Sequence, residues 1–137
     1  MNPAGQSNMM LVGRIAIAAL FLFPGINKLM AVAGTAGYFA KLGFPMPEVM
    51  VWLAILIEIG GAVLLIVGWQ VRRVAWLLIL FTLIATFMAH RFWQFEGAQY
   101  AAQMNNFLKN FAVIGGLLYV AAFGPGSLSV DGRARTS

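Results

Sequence analysis

The sequence lacks cysteine altogether, contains a single histidine, and has only four acidic residues in 137. Without cysteine there is no disulfide, no thiolate metal site and no Cys-x-x-Cys redox relay. One histidine cannot provide the two axial ligands of a bis-histidine haem. We therefore expect no metal site and no built-in cofactor, so any redox chemistry requires a partner protein or a bound organic molecule.

Charge is scarce while apolar residues are abundant. Hydrophobic residues make up 61% of the chain and charged residues 9%, whereas a soluble domain carries about 25% charge. This composition excludes a soluble enzyme and makes a lipid bilayer the expected surroundings. The net charge is +5, but the basic residues are scattered along the apolar chain, so we expect no nucleic-acid partner.

Four apolar segments stand out, at about 9–30, 48–68, 74–93 and 106–123. At about 1.5 Å per residue, each is long enough to cross the hydrocarbon core of a bilayer as a helix. Helices satisfy their own backbone hydrogen bonds in lipid. The sequence therefore predicts an all-α fold, an integral membrane four-helix bundle forming a single domain over 1–137.

The connections between these segments differ in length. A short "QVRR" turn joins the second and third segments. The first loop contains "GTAGYFAKLGFPMPE", which predicts a short interfacial helix at 35–42, capped by Thr35 and ended near Gly43. The loop "QFEGAQYAAQMN" is predicted to be partly helical. The small, polar tail over 126–137 is expected to be flexible.

Basic residues predict how the chain is oriented. The N-terminal stretch lacks the basic region of a cleavable signal, so the first apolar segment is expected to be a permanent span. One side of the predicted bundle carries most of the positive charge near span ends, from Arg14, Arg72, Arg73, Arg133 and Arg135. The opposite side has Lys41 and Arg91. Because cytoplasmic ends are enriched in Lys and Arg, both termini are predicted to be cytoplasmic.

Glu58 lies near the middle of the apolar stretch "WLAILIEIGGAVLLIVGW". Its helical neighbours include Ala54, Gly61 and Ala62, small residues that allow membrane helices to approach closely. We therefore expect Glu58 to face other helices. An ionisable residue at this depth is typical of a functional site with a partner. The alternative is a neutral glutamic acid that only links helices.

The other three segments supply polar residues, mostly in the half of the bundle away from the termini. We predict Glu58, His90 and Lys109 as catalytic residues, with Lys109 reaching toward Glu58. We predict a ligand-binding set of five further residues: Asn27, Lys28, Thr86, Asn106 and Asn110. Alternatively, the lysines extend to the interface, Thr82 and Thr86 bond their own helix, His90 is structural, and the whole network only fixes helix packing.

Several stretches are similar to the DoxX family of small bacterial inner-membrane proteins. The resemblance rests on the order and spacing of "LFLFPGINKL", "GTAGYFAKLGFP", "LIEIGGAVLLIVGW", "FTLIATFMAHRFW", "FLKNFAVIGGLL" and "GPGSLSVD", and runs from about Arg14 to Asp131. It implies a four-helix membrane bundle, with the family's polar positions at Lys28, Glu58, His90, Lys109 and Asn110. Pro24 stands where many members carry a small residue, and a helix kink is expected there.

Three functions remain open. The family takes its name from a subunit of a thiosulfate:quinone oxidoreductase, and some members are described as oxidoreductases, which implies a quinone-linked redox subunit with quinone as cofactor and a redox partner protein. A second hypothesis is a small-solute or proton-coupled transporter, for which a homodimer is expected because four helices enclose little space. A third is a membrane scaffold for partner enzymes.

Overall fold

The computed structural model describes residues 2–134, and every regular element among them is helical. The elements are α1 (Pro3–Met30), α2 (Val32–Leu42), α3 (Pro47–Val67), α4 (Val71–Ala89), a 3₁₀ turn (Phe92–Gln94), α5 (Gly97–Phe123) and α6 (Val130–Arg133). Four of these helices, α1, α3, α4 and α5, are long and apolar enough to cross a membrane. The predicted all-α membrane bundle is confirmed.

The helix ends differ from the predicted spans for local reasons. α1 begins at Pro3 because the Asn2 side chain accepts a hydrogen bond from the Gly5 amide at 2.8 Å and proline suits the first helical position. α5 begins at Gly97, so the loop predicted to be partly helical forms the first turns of the last span. α4 ends at Ala89, earlier than predicted, and the chain continues into the 3₁₀ turn.

The structure confirms a short helix, α2, in the first connection, but this helix begins at Val32 and not at 35. Thr35 lies inside α2 rather than capping it, and its hydroxyl donates to the Ala31 carbonyl at 2.9 Å. The predicted end is confirmed, since Gly43 adopts a left-handed conformation with φ of +87°. Pro24, where a kink was expected, does not end the helix, because α1 continues past it to Met30.

The four spans form a ring in the order α1, α3, α4, α5. α1 packs mainly on α3 and α4 mainly on α5, whereas the closing contact between α5 and α1 is the smallest. α2 lies against α3. Gly25 allows the close α1–α3 approach, because a Cβ there would lie 2.8 Å from Cγ1 of Ile59 and 3.1 Å from Cβ of Glu58.

The bundle has small and aliphatic residues inside and large apolar residues outside. Ala18, Leu65, Leu78 and Leu117 are fully buried between the helices. Large side chains such as Leu56 point outward and are mostly exposed. In a bilayer these outward side chains contact lipid tails, which are as apolar as leucine.

We call the end of the bundle that holds both chain termini the terminal end, and the opposite end the connection end. At the terminal end, Arg14 is 1% exposed. Its Nη1 donates to the Leu65 carbonyl at 2.8 Å and to the Ile66 carbonyl at 3.3 Å, and its Nη2 donates to the Leu128 carbonyl. This corrects the prediction that Arg14 is an interfacial orientation signal, because its guanidinium binds the last carbonyls of α3.

The residues 124–134, which we call the C-terminal clasp, bind this end of the bundle. Asp131 accepts hydrogen bonds from the amides of Gln70 at 3.0 Å and Val71 at 2.9 Å, and thus caps α4. The Ser7 and Ser127 hydroxyls lie 2.7 Å apart. The prediction of a flexible tail is therefore corrected for 126–134, while its remainder, including Arg135, lies outside the described residues.

Candidate functional site

A cavity of about 520 Å³ lies at the connection end and is lined by α1 to α5. Most of its wall is apolar. The polar side chains in it come from all five of these helices and from the residue after α4: Lys28, Tyr38, Glu58, Thr82, His90, Lys109 and Asn110. The fold thus brings together all five of the residues that the family resemblance places at polar positions.

Lys28 and Glu58 form an ion pair inside this cavity. Nζ of Lys28 donates a hydrogen bond to Oε1 of Glu58 at 3.0 Å and lies 2.9 Å from Oε2. Glu58 is 5% exposed. The approach to Oε2 lacks hydrogen-bond alignment, and among residues 2–134 this oxygen has no hydrogen-bond partner. Both carboxylate oxygens are therefore in contact with one cation, and a single well-aligned hydrogen bond joins the pair.

The position of Glu58 follows from the small residues around it on α3. Ala54, Ile55, Gly61 and Ala62 share its buried face, which confirms that Glu58 faces other helices. Gly25 lets α1 come close enough for Lys28, one turn further along, to reach the carboxylate. Lys28 is therefore a partly buried ion-pair partner of Glu58 and does not extend away from it to the interface.

Lys109 lines the same cavity but does not contact Glu58, contrary to the expectation that it reaches this carboxylate. Its Nζ donates only a long hydrogen bond, 3.4 Å, to Oδ1 of Asn106. The ring order explains the difference, because α5 packs on α4 whereas Glu58 lies on α3, which packs on α1. Within residues 2–134, Lys109 has no ion-pair partner.

His90 lies at the cavity where α4 ends. Its amide donates to the Thr86 carbonyl at 3.0 Å, and its Nδ1 lies 2.8 Å from Oε1 of Gln103 on α5. Gln103 was not among the predicted site residues. Its only signal in the sequence is its place in the polar run "GAQYAAQMN", which also contains Gln99 and offers no way to choose between the two glutamines.

A hydrogen-bonded ladder connects α4 to α5 beside the cavity. The Thr82 hydroxyl donates to the Leu78 carbonyl at 2.7 Å, and the Thr86 hydroxyl donates to the Thr82 carbonyl at 2.6 Å. Nδ2 of Asn110 then donates to Oγ1 of Thr86 at 2.9 Å. The threonines thus bond their own helix, while Thr86 also positions Asn110 at the cavity wall.

Three predicted ligand-binding residues do not line the cavity. Asn27 is exposed on the outside of α1, Thr86 is fully buried behind Asn110, and Asn106 is placed against Lys109. The structure instead adds aromatic side chains, among them Tyr38 and Phe39 of α2 and Phe44 of the following loop. Phe39 and Phe44 are in contact, with ring centroids 4.9 Å apart. The sequence indicated α2 only as an interfacial helix.

The cavity reaches the outer apolar surface of the bundle. Six of its large lining side chains are at least 45% exposed: Leu20, Tyr38, Leu53, Leu77, Leu80 and Ile84. Toward the terminal end it is closed, since the core residues Leu65, Leu78 and Leu117 are fully buried. An apolar molecule can therefore enter sideways from the lipid and meet the polar groups inside.

Comparison with known proteins identifies relatives along nearly the whole chain. The family model for DoxX matches residues 9–91. The chain is 35% identical to "Inner membrane protein YphA" of Escherichia coli (strain K12) over 130 residues, covering 95% of this chain and 93% of that protein. It is also 35% identical over 123 residues to "Inner membrane protein YqjF" of the same organism, covering 88% of each chain.

A more distant relative is a "Surfeit locus protein 4 homolog" of Schizosaccharomyces pombe (strain 972 / ATCC 24843). It is 28% identical over 89 residues, which cover 61% of this chain and 30% of that protein. No solved structure is significantly similar to this chain.

Proposed function

The chain belongs to the DoxX family of integral membrane proteins, and on that premise we propose that it binds a quinone in the cavity at its connection end, as the membrane subunit of a redox system. The observation that carries this proposal is the lateral opening of an apolar cavity onto polar groups. Quinones are dissolved in lipid, and their sites are apolar clefts with a few hydrogen-bonding groups.

The polar residues of the cavity match the two ends of a quinone ring. Lys109 and Asn110 have N–H groups free to donate to a ring carbonyl. On the α1–α3 side, Lys28 and Glu58 form a pair that can exchange a proton with a ring oxygen. A bound quinone supplies a two-electron couple. Since the chain has no cysteine, the electrons come from a redox partner protein.

Two other functions fit the structure less well. A transporter needs a pathway to both sides of the membrane, but the core and the C-terminal clasp close the terminal end of this cavity. A pure scaffold has no use for a cavity of about 520 Å³ with polar side chains in its wall. The proposal includes the orientation indicated by the basic residues, with both termini in the cytoplasm.

Native mass spectrometry of the protein in mild detergent, with organic extraction of what is retained, tests this function. We expect a co-purified quinone that is lost from Lys109→Ala and Glu58→Gln. Lys41→Ala is the matched control, because Lys41 is exposed on α2 and does not line the cavity. A wild-type protein that neither retains a quinone nor takes one up when it is added would refute the proposal.

A further inference from the structure

The hydrogen bond between His90 and Gln103 determines which nitrogen of the imidazole ring is left for a ligand. Oε1 of Gln103 is a carbonyl oxygen and can only accept, so Nδ1 of His90, 2.8 Å away, carries the proton and donates. In a neutral imidazole the other nitrogen, Nε2, is then an acceptor. Nε2 has no hydrogen-bond partner among residues 2–134.

The Lys28–Glu58 pair does not provide such an acceptor. Nζ of Lys28 donates to Oε1 of Glu58 at 3.0 Å and lies 2.9 Å from Oε2, so this carboxylate already has a cation as its partner. Nε2 of His90 is therefore the cavity acceptor that requires a ligand with a hydrogen-bond donor.

We infer that the cavity selects the reduced, dihydroxy form of its ligand, the quinol, over the quinone, and that Gln103 is the positioning residue for this selection. The inference rests on the proposed function and specifies the redox state that is bound. A hydroxyl group of a quinol can donate to Nε2 of His90. The quinol oxygens can still accept hydrogen bonds, including one from Lys109.

A quinone carbonyl cannot donate to Nε2. Once the ligand has displaced water, Nε2 would be left unpaired, and an unpaired polar group weakens binding. Sites built to hydrogen-bond a hydroxyl group reject analogues that lack it for this reason. Without Gln103, the His90 proton can move to Nε2, and this acceptor becomes a donor.

The single histidine in the sequence allows the first part of the inference to be tested directly. Protein labelled with ¹⁵N-histidine and purified through a histidine-free tag gives one imidazole spectrum. We expect the signature of a protonated Nδ1 in the wild type and its loss in Gln103→Met. Gln99→Met is the matched control, one turn earlier on α5 and exposed. A wild-type ring protonated on Nε2 would overturn the inference.

Binding of decylubiquinone and of its chemically reduced quinol, measured without oxygen, tests the selection itself. We expect the wild type and Gln99→Met to bind the quinol about tenfold more tightly than the quinone, which corresponds to one well-formed hydrogen bond. Gln103→Met should lose most of this ratio, and Gln103→Glu, which keeps an acceptor for Nδ1, should restore it.

The outcomes separate this inference from the proposed function. Equal binding of both forms to the wild type would overturn the selection and leave quinone binding intact. An unchanged ratio in a folded Gln103→Met protein would remove Gln103 as its cause. Failure of both forms to bind would refute the proposed function, and the inference with it.

Discussion

The two ends of the bundle each bury a charged residue between helices, but they bond it differently. At the terminal end, Arg14 donates to three carbonyls on α3 and the C-terminal clasp, and only its Nε has no partner among the described residues. At the connection end, Glu58 has one cation, Lys28, as its partner, and the pair lies in the wall of a cavity.

This difference separates structural from functional buried polarity. Arg14 binds the carbonyls at the end of α3, groups that the helix itself leaves unpaired, and it does not line the cavity. The Lys28–Glu58 pair serves no backbone group and lies where a lipid-soluble molecule can enter. We propose that the terminal end holds the bundle together and that the connection end is the ligand-binding end.

The largest loss of stability is expected at Arg14. In Arg14→Met the carbonyls of Leu65, Ile66 and Leu128 lose their donor inside the protein, and the free energy of unfolding should fall by about 3 kcal/mol. Unfolding in mixed detergent micelles measures the change. Arg14→Lys should lose part of this stability, since an ammonium group lacks the fork of N–H donors that a guanidinium group has. A stable Arg14→Met protein would end the assignment of the terminal end as structural.

Removing one partner of the Lys28–Glu58 ion pair should lower the free energy of unfolding nearly as much as Arg14→Met does. Replacing both partners should lower it much less. Lys28→Met leaves the Glu58 carboxylate buried without a cation and should destabilise the bundle by about 3 kcal/mol. The double variant Lys28→Met/Glu58→Leu should recover most of this stability, because an apolar pair needs no desolvation. Its ligand binding should remain lost. A double variant that binds quinone normally would show that the pair is not part of the site.

A pair of glycines tests how closely α1 approaches α3. Gly25→Ala places a Cβ 2.8 Å from Cγ1 of Ile59 and 3.1 Å from Cβ of Glu58, so the helices must move apart. We expect a loss of about 1–2 kcal/mol and weaker ligand binding. Gly60→Ala, which meets open space on α3, is the control and should be neutral or slightly stabilising. Equal effects of the two substitutions would be inconsistent with the described packing.

The smallest effect is expected at the cap of α4. Asp131→Ala removes the acceptor for the Gln70 and Val71 amides and should cost about 1 kcal/mol. Ligand binding should be unchanged, because the C-terminal clasp lies at the other end of the bundle. Thermal unfolding and quinone retention, measured on the same preparation, check both statements. Reduced quinone retention in a folded Asp131→Ala protein would contradict this prediction and show that the two ends of the bundle are coupled.

The sequence predicted the spans and the inward face of Glu58 because both depend on local pattern. Apolar length identifies a membrane helix, and the small residues Ala54, Gly61 and Ala62 lie within two turns of the glutamate. Lys109 was a wrong choice of partner because sequence does not state which helices are neighbours. The same reason hid Gln103, which becomes recognisable only when α5 is placed beside the end of α4.

The terminal end was the part least accessible to prediction. Arg14 and Leu128 are far apart along the chain, and an arginine near the end of an apolar segment usually marks orientation. Asp131 lies in a polar tail whose composition is typical of flexible ends. Only the closure of the bundle shows that these residues bind α3 and α4.

Photoaffinity labelling is the measurement that tests the central claim most directly. A quinone carrying a photoreactive group is irradiated with the protein in lipid nanodiscs, and the labelled residues are identified by mass spectrometry. The account predicts adducts on cavity-lining residues of α2, α3 and α4 that are suppressed by excess quinone and absent from the Lys28→Met/Glu58→Leu variant. Labelling spread evenly over the outer apolar surface, or unchanged in that variant, would contradict it.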